Sequence, residues 1–123
     1  MKKLLFKYVL LFIGLLCLIS CTGRLEKTWI LKKFDEEKVF RMNSEKGKSY
    51  STAIVTISGN VDKEVCFTLD KNASSEWCHY FSVTDSKIQF TTDFYGIGTF
   101  KLYMLTSKAK GELKVTIELP YSE

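Results

Sequence analysis

From Gly111 to Leu119 every second side chain is apolar: Leu113, Val115, Ile117 and Leu119 alternate with Glu112, Lys114, Thr116 and Glu118. Successive strand side chains point to opposite faces, so this alternation describes a half-buried antiparallel strand with one wet face. Phe100, Leu102 and Met104 against Thr99, Lys101 and Tyr103 repeat it, and the short stretch Ser107 to Gly111 between the two runs predicts a hairpin. Ala53-Val55-Ile57, Val65-Phe67-Leu69 and Ile88-Phe90 add further strands. Ser58-Gly59-Asn60, Thr84-Asp85-Ser86 and Gly96 supply turn chemistry between them. Short strands at such spacing predict an all-β chain folded as a single antiparallel β-sandwich or barrel. The only proline, Pro120, follows the last apolar run, where it can end a strand without removing a ladder hydrogen bond.

The start of the domain reads less clearly. Leu25 to Phe34 suits a short helix or an irregular strand, and the Trp29-Leu31 alternation against Thr28 and Lys32, with no helix-capping glycine after it, favours the strand. Val39 to Met42 predicts a second strand, and Asn43 to Ser49, with Gly47, a loop.

Near the C-terminus, Asp93, then Gly98-Thr99-Phe100-Lys101-Leu102, then the run from Gly111 to Ile117 resembles the end of immunoglobulin-like domains. Phe100 stands where such domains carry a tyrosine and Leu102 where they carry a cysteine, so the tyrosine corner and inter-sheet disulfide are missing. The resemblance covers about the last 25 residues. It implies an immunoglobulin-like strand order and says nothing of function.

The N-terminus has a different character. Lys2, Lys3 and Lys7 precede an apolar run from Tyr8 to Ile19, which ends in Leu18-Ile19-Ser20-Cys21. About a dozen helical residues cover roughly 18 Å, too little to cross a hydrocarbon core of about 30 Å. The segment has the layout of a signal peptide. It resembles the lipobox of bacterial lipoproteins, in which the cysteine thiol is diacylated and the chain is cut just before it. That resemblance covers the first 21 residues and implies residues 1–20 as signal peptide and Cys21 as lipid attachment site; the first apolar run, near Trp29, then leaves 21–27 as a short tether and 28–120 as the sandwich. It also implies a place in the bacterial cell envelope. Thr22 after the cysteine, in place of aspartate, resembles lipoproteins sorted to the outer membrane. A tether of that length holds the domain close to the lipid, with Arg24, Lys27, Lys32 and Lys33 expected beside anionic head groups.

Removal of residues 1–20 would change the charge balance. The 18 basic residues fall to 15 while all 14 acidic residues remain, which leaves a mature chain near +1 from a formal +4. Lysine and glutamate are interspersed, so the clustered positive charge that nucleic-acid binding requires is not there.

Four cysteines are present. With Cys17 in the signal and Cys21 acylated, Cys66 and Cys78 remain as a pair, which an oxidising compartment would close into a disulfide. Two free thiols, or a metal or redox site, are the rival readings, although His79 is the only histidine and the spacing is not C-x-x-C. A hairpin centred on Asn72 would set Cys66 opposite Cys78 and Phe67 opposite Trp77.

Candidates for chemistry are few. Adjacent strand residues face opposite ways, which disfavours a dyad of Cys78 and His79. Asp35-Glu36-Glu37 lacks the glycine and alternating oxygen donors of a calcium loop. Gly96-Ile97-Gly98 opens onto a strand, not onto the helix N-terminus that a phosphate loop needs. No catalytic residue, metal or cofactor is expected. Trp77, Tyr80, Phe94 and Tyr95 form the candidate binding patch, with core packing as the competing use of the same rings. The sequence therefore points to a non-catalytic envelope lipoprotein that binds another macromolecule near the membrane, as an assembly subunit, inhibitor or immunity protein. The alternative is a carbohydrate- or small-ligand-binding module built on the exposed aromatics.

Overall fold

The alternation in the last strand dictates the core, because a strand with one apolar face must lay that face on a second layer. The computed structural model describes residues 22–72 and 77–123. Nine strands run in chain order, with no α-helix among the described residues: β1 (Thr22–Leu31), β2 (Lys38–Asn43), β3 (Ser49–Tyr50), β4 (Thr52–Val61), β5 (Val65–Thr68), β6 (His79–Phe81), β7 (Lys87–Asp93), β8 (Thr99–Met104) and β9 (Gly111–Ser122). They form two antiparallel sheets, ordered β1-β9-β4-β7 and β2-β8-β5-β6, with β3 also paired to β9. The chain is an all-β sandwich, as the periodicity predicts.

The core lies between the sheets. Leu113, Val115, Ile117 and Leu119 of β9 and Val55 and Ile57 of β4 have no exposed surface. Facing them are Phe40 and Met42 of β2, Phe67 of β5, Phe81 of β6 and Phe100, Leu102 and Met104 of β8, all buried. Each set occupies alternate positions, which is the pattern the sequence carries.

The expected hairpin between the last two runs does not form. β8 pairs with β2 and β5, whereas β9 lies in the other sheet between β1 and β4. Residues 105–110 cross from one sheet to the other, held by a Ser107 N–H donating to the Phe34 carbonyl at 2.7 Å and a Lys110 N–H donating to Asp62 Oδ1 at 2.6 Å. Insertion of the last strand between the first and the fourth gives the strand order of a double-sheet jelly roll, not the immunoglobulin-like order implied by residues 93–117. Alternation assigns a strand its faces; it does not choose its neighbours.

Two further expectations are corrected. The Ser58-Gly59-Asn60 turn is the interior of β4, where Gly59 has φ +136° and pairs with Leu113. A Cβ there would collide with the Glu112 carbonyl oxygen, and one at Gly111 (φ +141°) with that of Asn60. Both glycines permit close approach of β4 and β9. The tether expected over 21–27 is strand from Thr22 onward, with Thr22 paired to Ser122 and Lys27 to Ile117. The lipobox at 18–21 lies outside the described residues.

Antiparallel order places the connections at two ends of the sandwich. At one end lie the start of β1 and the end of β9, with the β2–β3, β5–β6 and β7–β8 connections. At the other lie the β1–β2, β4–β5, β6–β7 and β8–β9 connections, so Lys32 and Lys33, expected beside the lipid, sit a full strand length of about 30 Å from Thr22.

Ile117→Ala, which opens a cavity in the middle of β9, is expected to lower unfolding stability by about 2–5 kcal/mol. Gly59→Ala, which changes no apolar contact, is expected to cost at least about 1–3 kcal/mol through backbone strain. Denaturant unfolding of both variants checks this, and a neutral Gly59→Ala would refute the close-approach account.

Candidate functional site

Cys66 and Cys78 are joined in a disulfide with their Cα atoms 5.3 Å apart. The hairpin register differs from the expected one by two residues. Cys66 pairs with Tyr80 and Phe67 with His79, so the bridge runs diagonally from β5 to the residue just before β6. A two-residue shift preserves side-chain parity, and the bridge still lies on the face opposite Phe67. Cys66 is 9% exposed and its neighbour Thr68 is 1% exposed, with Thr68 Oγ1 donating to the Asp70 carbonyl at 3.2 Å and accepting from its N–H at 3.3 Å. The bond consumes the thiol beside His79, which removes any cysteine–histidine dyad. The His79 ring instead stacks on Phe90 of the other sheet, centroids 3.8 Å apart and planes at 5°. That contact closes the seam between the edge strands β6 and β7.

The four patch aromatics separate in the structure. Phe94 is half-buried, edge-on to Tyr50 and to Phe100 at 5.8 Å each, and belongs to the core margin. Tyr80 lies on the outer face of its sheet at 41% exposure. Trp77 at 71% exposure lies in the β5–β6 connection and Tyr95 at 70% in the β7–β8 connection, both of which belong to the end of the sandwich where β1 begins. Ile97, which the sequence reading passed over as part of a glycine-rich loop, is the most exposed large apolar residue there, at 82%. Its position between two glycines was the available signal.

The two outer sheet faces differ in charge. On the β1-β9-β4-β7 face, Arg24 pairs with Glu118 at 3.0 Å, and Thr28, Thr116, Thr56 and Gln89 form one row across four strands with hydrogen bonds of 3.1 and 2.9 Å. On the β2-β8-β5-β6 face, Arg41 lies directly opposite Lys101, and neither has an ion-pair partner among the described residues. Like charges in register repel, so this arrangement costs stability on its own. Two residues along the same strands lies Val39 opposite Tyr103, while Tyr80 sits farther across the face on β6. The sequence shows Arg41 and Lys101 sixty residues apart with nothing to link them; only the β2–β8 register reveals the pair.

An open depression of about 370 Å³ adjoins this face, lined by Leu69, Asp93, Phe94, Lys101 and Tyr103 among others. A second, of about 500 Å³, lies between Arg24, Glu118 and Tyr121. Near it the Lys48 ammonium sits 4.0 Å above the Tyr121 ring and 2.7 Å from Glu45, whose hydrogen bond holds the lysine above its usual basicity. Among the described residues no cluster of three His, Cys, Asp or Glu side chains could hold a metal ion, and Asp35-Glu36-Glu37 lies exposed in the β1–β2 connection. No helix among them is long and apolar enough to cross a membrane.

No protein-family model matches the chain, and no curated protein matches it in sequence. Solved structures do resemble it. A chain of the disulfide-linked pili of Bacillus endospore appendages shares 9% identity at a TM-score of 0.50, covering 84% of this chain and 89% of that one. The pre-peptidase C-terminal domain of a Bacillus anthracis collagenase shares 12% at 0.46, covering 76% and 88%. PliG, a periplasmic inhibitor of g-type lysozyme from Aeromonas hydrophila, shares 10% at 0.39, covering 81% and 87%. The first is a likeness of fold alone, and the other two carry no weight.

Replacing Cys66 and Cys78 together by serine should lower unfolding stability by about 3 kcal/mol, as expected for a loop of this length. Equal denaturation midpoints with and without the bridge would contradict its role in pinning β5 to β6.

Proposed function

We propose that this chain is a non-catalytic lipoprotein of the bacterial cell envelope, anchored through a diacylated Cys21, whose sandwich binds another macromolecule close to the membrane. The observation that carries the binding role is the outer face of the β2-β8-β5-β6 sheet. Arg41 and Lys101 are set against each other with no ion-pair partner among the described residues, and Val39 and Tyr103 are paired two residues along the same two strands. A carboxylate-bearing partner surface laid on this face offsets the repulsion, and the aromatic and aliphatic side chains supply the apolar area that an interface core needs. Lipid anchoring is supported by the basic and apolar N-terminus ending in Leu18-Ile19-Ser20-Cys21. Acyl burial, at about 0.8 kcal/mol per CH₂, makes attachment through several chains effectively permanent. An assembly subunit, an inhibitor and an immunity protein all fit these features.

Cys21→Ser should move the protein from the membrane fraction to the soluble one; retention in membranes would show that the apolar run itself is the anchor. In detergent-solubilised envelopes, the wild-type protein should co-purify with a partner that the double charge reversal Arg41→Glu, Lys101→Glu loses while its unfolding midpoint stays unchanged. Equal recovery by both proteins would exclude this face. A saturable tryptophan fluorescence change with sugars, abolished by Trp77→Ala without unfolding, would favour the carbohydrate-binding alternative instead.

A further inference from the structure

We propose that the end of the sandwich where β1 begins is a bilayer-contact surface, with Trp77, Tyr95 and Ile97 entering the interfacial zone of the membrane that holds Cys21. The inference rests on the proposed acylation of that cysteine and adds which part of the domain meets the lipid. Thr22 is already laddered to Ser122, and consecutive Cα atoms lie about 3.8 Å apart, so the acylated residue has no slack chain between it and the sandwich. The end that carries Thr22 must therefore abut the membrane. The same end carries Trp77, Tyr95 and Ile97, three of the most exposed large apolar side chains among the described residues.

The exposure of Tyr95 and Ile97 is built in by a fixed loop, while Trp77 stands in the β5–β6 connection next to the bridged Cys78. The Phe94 N–H donates to the Ser51 carbonyl at 3.1 Å, and the Phe94 ring is wedged against Tyr50 and Phe100. At the other end Gly98 N–H donates to Ser44 Oγ at 2.8 Å while Ser44 N–H donates to the Gly98 carbonyl at 2.9 Å. Between these clamps Gly96 takes φ +76°, and Tyr95 and Ile97 on either side of it face outward. Indole and phenol rings favour the head-group level, where the ring is dehydrated and the polar atom stays wet. Charges at this end are mixed, with Glu45 on Lys48 and Glu123 beside Ser122, so contact is driven by apolar burial and not by attraction to anionic lipid.

The test uses the full-length protein purified from membranes and reconstituted in phosphatidylethanolamine–phosphatidylglycerol vesicles whose acyl chains are brominated near the head group, a contact quencher of indole. Trp29, the other tryptophan, lies on β1 roughly 20 Å from Thr22 and packs on Phe40 at 5.2 Å, so it serves as the internal reference. In protein that floats with the vesicles, Trp77 emission should be largely lost. Trp77→Phe should remove the quenched component, and raised salt should not restore emission. Tyr95→Ser with Ile97→Ser should weaken the quenching while leaving the unfolding midpoint unchanged. Protein that floats with unquenched Trp77 overturns the contact surface and leaves the anchor standing. Protein that carries no lipid by intact mass and does not float removes the anchor, and this inference with it.

Discussion

The pairing of β9 on both sides holds this molecule together. Its inner face, Leu113 to Leu119, is wholly buried, and its backbone is laddered to β1 along one edge and to β4 along the other. β9 is thus central in its sheet, and its inner face is buried only with β1 and β4 on either side of it. Two of the glycines with positive φ, Gly59 and Gly111, sit on that seam, where any side chain would strike the opposing carbonyl. Burial of the apolar face drives the assembly, and the glycines set how closely the strands can meet.

The position of the central strand in turn decides where the chain enters. Because β9 pairs with β1 as far as Ser122, the first residues after Cys21 are ordered, and the domain is joined to its proposed anchor without a flexible spacer. With Cys21 acylated as proposed, one end of the sandwich would face the lipid, and the basic pair Arg41 and Lys101 on a sheet face would be presented sideways to a partner approaching along the membrane. A long flexible linker would leave an anchored domain free to turn; a ladder that starts at Thr22 would fix its orientation.

Much of the fold was legible in the residues, because burial on one face leaves a period of two in the sequence. β4, β5, β7, β8 and β9 all appear as alternating runs, and Cys66 and Cys78 are the pair that remains once Cys17 and Cys21 are assigned to the proposed signal and anchor. Strand neighbours were not legible. The short stretch between Met104 and Gly111 suits a hairpin as well as a crossing between sheets, and only the packing of the whole core chooses. Glycine misled at Gly59, where its missing Cβ serves close approach and not a turn. At the candidate surfaces, exposure of Trp77 and Tyr95 matched their amphipathic character. Phe94 was drawn inward by Tyr50 and Phe100, and the Arg41–Lys101 opposition exists only through register.

Amide hydrogen exchange resolved to single residues along β1 tests the central claim most directly. A ladder from Thr22 to Leu31 against β9 predicts that every second amide from the first residues onward is protected, with protection continuing without a break into Trp29. Rapid, uniform exchange over residues 22–27, with protection starting only near Trp29, would mean a loose connector in place of the strand, and the fixed orientation of the domain would be wrong.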